Sequence, residues 1–184
     1  MQIRLIALTL AVAGIAIACG SETTTAVTPV SKIVNFTATL TPAGEVGATL
    51  AGNPTGSGTF TATLDTSTNV FTYSVTFSGL TSNVTLGHIH APFNPAGTSN
   101  TAGAVLNFDP GVAGSPLATG AVFGKGATSG SASGTVTLAA STSITTAING
   151  DSLKKLLLAG LTYANIHTSS NGGGEIRGQI SIKK

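Results

Sequence analysis

Residues 70–77 read VFTYSVTF, and their alternation decides the fold. Phe71, Tyr73, Val75 and Phe77 share one side of the chain, while Thr72, Ser74 and Thr76 share the other. A period of two puts successive side chains on opposite faces of an extended backbone, so the segment predicts a half-buried β-strand. The same period recurs on either side. In 33–40, Val34, Phe36, Ala38 and Leu40 alternate with Asn35, Thr37 and Thr39. In 58–64, Phe60, Ala62 and Leu64 alternate with Thr59, Thr61 and Thr63. Further strands are predicted over 84–90, 103–108, 119–123, 133–139, 142–148, 162–168 and 174–182, with turn clusters such as Gly52-Asn53-Pro54 and Asn171-Gly172-Gly173 between them. About nine or ten short strands predict an all-β fold, an antiparallel β-sandwich or flattened barrel. One short helix is predicted near 151–159, where Leu153, Leu156 and Leu157 form a stripe, Asp151 is the expected N-cap and Gly160 the C-terminal stop.

Composition narrows the function classes. Of 184 residues only 8% are charged, and 8 basic against 6 acidic residues leave a net charge of +2. No Lys/Arg cluster exists to displace counterions from phosphates, so a nucleic-acid partner is not expected. Chemistry by an activated serine is not expected either, because no G-x-S-x-G elbow occurs. The glycine-rich stretches 124–134 and 172–174 match no phosphate-binding loop and read as hairpin loops.

The first residues set the address. Arg4 precedes an apolar run from Leu5 to Ala18. Fourteen residues of helix would span roughly 21 Å, short of the ~30 Å hydrocarbon core, which is the size of a signal-peptide core rather than of a membrane span. The run leads through Ala16-Ile17-Ala18 into the single cysteine, Cys19, followed by Gly20. This resembles the lipobox of bacterial lipoproteins, with Ala16 where leucine is usual. The expectation is a signal peptide over 1–18, a lipidated Cys19 opening a flexible Thr-rich tether over 19–32, and a β domain over 33–184. The partner so implied is the membrane, through the N-terminal lipid, and the location extracytoplasmic, lipid-anchored to the bacterial cell envelope or secreted.

The three histidines fall in two predicted strands. His88 and His90 sit two apart in LGHIHAP (86–92), so both imidazoles face one side and Ile89 faces the core. His167 lies in YANIHT (163–168). If Ser169–Gly173 form the hairpin loop, Tyr163 stands opposite Gln179, Asn165 opposite Arg177 and His167 opposite Glu175. That register predicts a polar ladder of Tyr163, Asn165, His167, Glu175, Arg177 and Gln179, a candidate contact surface. Ala164, Ile166, Ile176 and Ile180 then form the apolar side. Two readings of the histidines stay open: structural hydrogen-bonding groups, or a copper or zinc site of His88, His90 and His167 in which Glu175 orients His167.

Several segments together resemble the CHRD domain, the module named after chordin: FTATLTPAGEV at 36–46, the stretch 58–80, GHIHAP at 87–92 and YANIHTSSNGGGEIRGQI at 163–180. Gly47 departs from it, where the family usually carries proline. The resemblance implies an immunoglobulin-like or related β-barrel fold. In chordin such domains belong to an extracellular protein that binds growth-factor ligands. His-x-His is also similar to a pattern of copper–zinc superoxide dismutase, whose other ligands are absent here. These features lead to the expectation of a non-enzymatic, membrane-anchored CHRD domain with a binding or structural role and no cofactor, its partner an extracellular protein ligand. The alternative is a histidine-based copper, zinc or redox protein.

Overall fold

A computed structural model describes residues 32–47, 49–91, 102–109, 123–140, 144 and 148–184. The leader, Cys19 and nearly all of the tether lie outside them. So do the strands expected at 119–123 and 142–148, apart from Phe123, Ile144 and Ile148.

Two antiparallel sheets stack face to face. The strands β1 (Ile33–Leu40), β2 (Ser57–Asp65), β3 (Val70–Ser78), β6 (Gly130–Thr137) and β9 (Ser181–Ile182) form one, in the order β6-β3-β2-β1-β9. The strands β4 (Val84–His90), β5 (Ala104–Asn107), β7 (Tyr163–Thr168) and β8 (Ile176–Gln179) form the other, in the order β5-β4-β7-β8. The fold is the all-β sandwich that the alternation predicts. Phe36, Phe60, Leu64, Phe71 and Tyr73 from the first sheet meet Ile89, Leu106, Ala164, Ile166 and Ile176 from the second, all essentially inaccessible. Phe108, just beyond β5, joins them, its ring 5.4 Å from that of Tyr73. Each such aliphatic or aromatic side chain contributes about 1.5–3 kcal/mol on burial. The outer side of the first sheet carries the small hydroxyls, aligned in rows such as Thr37–Thr61–Ser74–Ser133.

Three elements differ from expectation. β6 starts three residues early, at Gly130 rather than at 133, because backbone pairing with β3 continues to Phe77–Gly130 through small residues that show no apolar period. The helix α1 (Gly150–Leu158) is capped by Asn149, not Asp151: Asn149 Oδ1 accepts from Ser152 N–H at 2.9 Å. Asp151 sits in the first turn and pairs with Lys154 and Lys155. Gly160 does end the helix, at φ 67°, with Leu161 N–H donating to Leu156 C=O and Gly160 N–H to Leu157 C=O. Finally, the strand expected over 174–182 is two strands in different sheets, with fully buried Ile180 at the crossing.

That crossing brings β8 against β1. Thr41 N–H donates to Arg177 C=O at 3.1 Å and Arg177 N–H to Thr41 C=O at 3.0 Å. Next to it, a Cβ at Gly178 would collide with the backbone carbonyl of Thr39. Gly47, where the resemblance leads one to expect proline, has φ 75°, a left-handed conformation closed to a proline ring. Replacing Gly178 by alanine is expected to cost about 1–3 kcal/mol through overpacking at this junction, read as a lower urea midpoint with an unchanged slope.

Candidate metal centre

The outer side of the β4–β7–β8 sheet is polar. His88 stands opposite Asn165 and His90 opposite Tyr163 across the β4–β7 pair, while His167 lies beside Leu86 one step further on. On the other side of β7, Asn165 faces Arg177 and Tyr163 faces Gln179, the register that loop length predicts. β4 carries irregularities at Val84/Leu86 toward β7 and at Ile89/His90 toward β5, so its histidines lie in a locally twisted stretch.

The expected contact surface is instead an interior. His88 and His167 are each 7% accessible, His90 9%, Arg177 5%, and Tyr163 and Asn165 2%. Of the polar residues in the ladder only Gln179 is exposed. It leaves the cluster to donate to the carbonyls of Gly160 and Thr162, both at 2.6 Å.

The three histidines converge. Ring centroids are 4.4 Å apart for His88–His90, 4.5 Å for His88–His167 and 6.0 Å for His90–His167. One ring nitrogen from each lies within 4.8 Å of the other two. Two of the rings are oriented by backbone: His90 Nδ1 meets Ala102 C=O at 2.6 Å, and His167 Nδ1 meets Gly172 C=O at 3.0 Å. A carbonyl only accepts, so Nδ1 carries the proton in both and the Nε2 lone pair is free. Those two Nε2 atoms and His88 Nδ1 are buried without a hydrogen-bond partner. Buried polar atoms without a partner cost free energy unless something meets them, and an imidazole anchored at Nδ1 by a carbonyl, as in His90 and His167, is the usual form of a metal ligand.

Electrostatics keep the rings neutral. Burial, with His167 and His90 adding to it, pulls His88 down to about 3. Burial pulls His90 down to about 4 despite the Ala102 hydrogen bond, helped by His167 and Arg177. His167 is lowered too, chiefly by burial. The Tyr163 ring stacks on His90 at 4.5 Å and 6°, and its hydroxyl accepts from Ala102 N–H. From the next strand the Arg177 guanidinium lies 3.5 Å over that same ring.

Glu175 does not serve His167. Regular pairing of β7 with β8 begins only at Ile166–Ile176, after Gly174 at φ 127°, which takes Glu175 out of the alternation. Its fully buried carboxylate accepts from Thr81 N–H and the Thr81 and Thr168 hydroxyls, each at 2.7 Å, and from Asn171 Nδ2 at 3.1 Å. Burial alone would raise its pKa, but these bonds outweigh it and hold the carboxyl below its ordinary value. The knot fixes the loop that presents Gly172 C=O to His167. Sequence reasoning also passes over Glu45 as a site residue. Burial pushes this carboxyl up to about 7 against the pull of Arg177 and a hydrogen bond from Asn165. Its only sequence signal is its place in the acidic turn of 36–46.

Fold and site together define a sandwich whose one sheet bears a buried histidine cluster on its outward side. The family model for the CHRD domain matches residues 36–180, and the chain belongs to the CHRD domain family. No curated protein and no solved structure matches it.

Acid is expected to destabilise the metal-free domain. Three histidines whose folded pKa values are lowered contribute stability above about pH 6.5 that is lost as the pH falls; for His88 and His90 the loss runs toward pH 4 and is at most about 2 kcal/mol each at pH 5. Glu45 works the other way, since a raised carboxyl contributes below pH 4.5 and loses that contribution as the pH climbs through about 7. Three groups against one give a lower urea midpoint at pH 5 than at pH 7.5 in the presence of chelator.

Proposed function

We propose that this chain is an exported, lipid-anchored CHRD domain that holds a transition-metal ion, copper or zinc, between His88, His90 and His167. The observation that carries the reading is the convergence of three buried histidines, one ring nitrogen of each within 4.8 Å of the other two, with one buried nitrogen on every ring lacking a hydrogen-bond partner. Three nitrogens bound to one ion at about 2.0–2.1 Å stand about 3.5 Å apart, so the rings need close by little more than an ångström. Depressed imidazole pKa values favour the neutral, ligating form across the physiological range. The Ala102 and Gly172 carbonyls and the Tyr163 ring would hold the ligands in place. The role so proposed is the binding of the ion.

Support for the location is the leader: a short apolar core ending in small residues and the lone Cys19, then a Thr-rich tether. An ion captured by this domain would be captured outside the cytoplasm.

Protein purified without chelator is expected to carry or take up one copper or zinc ion per chain and to melt at higher temperature with it. His88→Ala should lower affinity at least tenfold while circular dichroism stays that of a β protein. Absence of stoichiometric uptake by the folded wild type would refute the reading. For the anchor, Cys19→Ser should abolish incorporation of labelled fatty acid and move the protein from the membrane to the soluble fraction.

A further inference from the structure

Resting on the three-histidine reading, we infer that the ion this centre is built for is copper(I), held by three imidazole nitrogens and no fourth ligand from the protein. The inventory of donors leads there. The chain has three histidines, all in the cluster, and its one methionine and one cysteine, Met1 and Cys19, both belong to the leader end. Among the described residues no carboxylate joins the group. Four of the described acidic side chains are engaged elsewhere: Asp65 with Ser67, Asp109 with Lys125, Asp151 with Lys154 and Lys155, and Glu175 in its knot; the fifth, Glu45, lies by Asn165 and Arg177 and is not in the three-histidine group. The sixth, Glu22, lies in the tether.

Three neutral nitrogens in a buried setting discriminate between ions. Zinc completes a tetrahedron with a fourth ligand, which here would have to be water, and copper(II) favours a tetragonal set of nitrogen and oxygen. Copper(I), a closed-shell ion with no demand for a fourth donor, is satisfied by three. Charge points the same way. The imidazoles cancel none of the ion's charge, and among the described residues the one cation built into the cluster, Arg177, stands one ring away from His90 behind Tyr163. The cost of burying an ion rises with the square of its charge, so these neutral ligands favour a monovalent ion over a divalent one.

The experiment is anaerobic titration of the mature wild-type domain with copper(I) against the chromophoric chelator bathocuproine disulfonate. Parallel titrations use zinc and copper(II), and copper K-edge absorption reports the ligand shell. The expected result is one copper(I) per chain in a three-nitrogen shell that about a hundredfold excess of zinc does not displace. Zinc or copper(II) retained in preference to copper(I), or a fourth protein ligand in the shell, overturns this inference and leaves the three-histidine reading standing. A folded protein that takes up none of the three ions overturns both.

Discussion

The antiparallel pairing of β4 with β7 is the constraint on which the centre depends. Its hydrogen bonds fix which residue stands opposite which, setting His88 against Asn165, His90 against Tyr163 and Leu86 against His167. A slip of one residue would turn either strand's polar set toward the core and drive Ile89 or Ile166 outward. The apolar face therefore enforces the polar one: Ile89, Ala164 and Ile166 are wholly buried between the sheets, and the register that buries them also assembles the imidazoles. Packing energy and site geometry are the same choice, made once.

What distinguishes the outward side of this sheet is that it is dry. Thr and Ser cover the outer side of the other sheet and stay exposed. Here histidine, tyrosine, asparagine and arginine are buried, and neighbouring groups orient them. Carbonyls of Ala102 and Gly172 hold two rings, Tyr163 stacks on one of them, and the Glu175 knot closes the loop that carries Gly172. Each ring keeps one buried nitrogen without a hydrogen-bond partner, in a group whose ring nitrogens come within 4.8 Å. A cluster meant only to fill space would be cheaper as aliphatic side chains.

The sandwich was legible because a half-buried antiparallel sheet writes its burial directly into a period of two, as in Phe71-Thr72-Tyr73-Ser74-Val75-Thr76-Phe77. The convergence of His88 with His90 was legible for the same reason, and the Asn165–Arg177 register followed from the length of the loop. What escaped was decided by contacts distant in sequence. Burial of the ladder depends on contacts beyond its own strands, which alternation within a strand does not encode. Glu175 left its expected place because one glycine at φ 127° interrupts the alternation. The partners that orient His90 and His167 are backbone carbonyls, which any residue supplies and no residue type announces. The cap at Asn149 instead of Asp151 is a choice between two good capping residues two positions apart, settled by where the chain first turns helical.

The passage of the chain at Ile180 from one sheet into the other has a consequence for how the molecule comes apart. β8 closes the histidine-bearing sheet, and β9, two residues later, closes the opposite one. Neither leaf can hinge away while the other stays folded, since the final segment is stitched into both. Opening of the sandwich is thereby tied to loss of the whole tertiary structure, and the grouping of the imidazoles lasts as long as the domain survives as a unit.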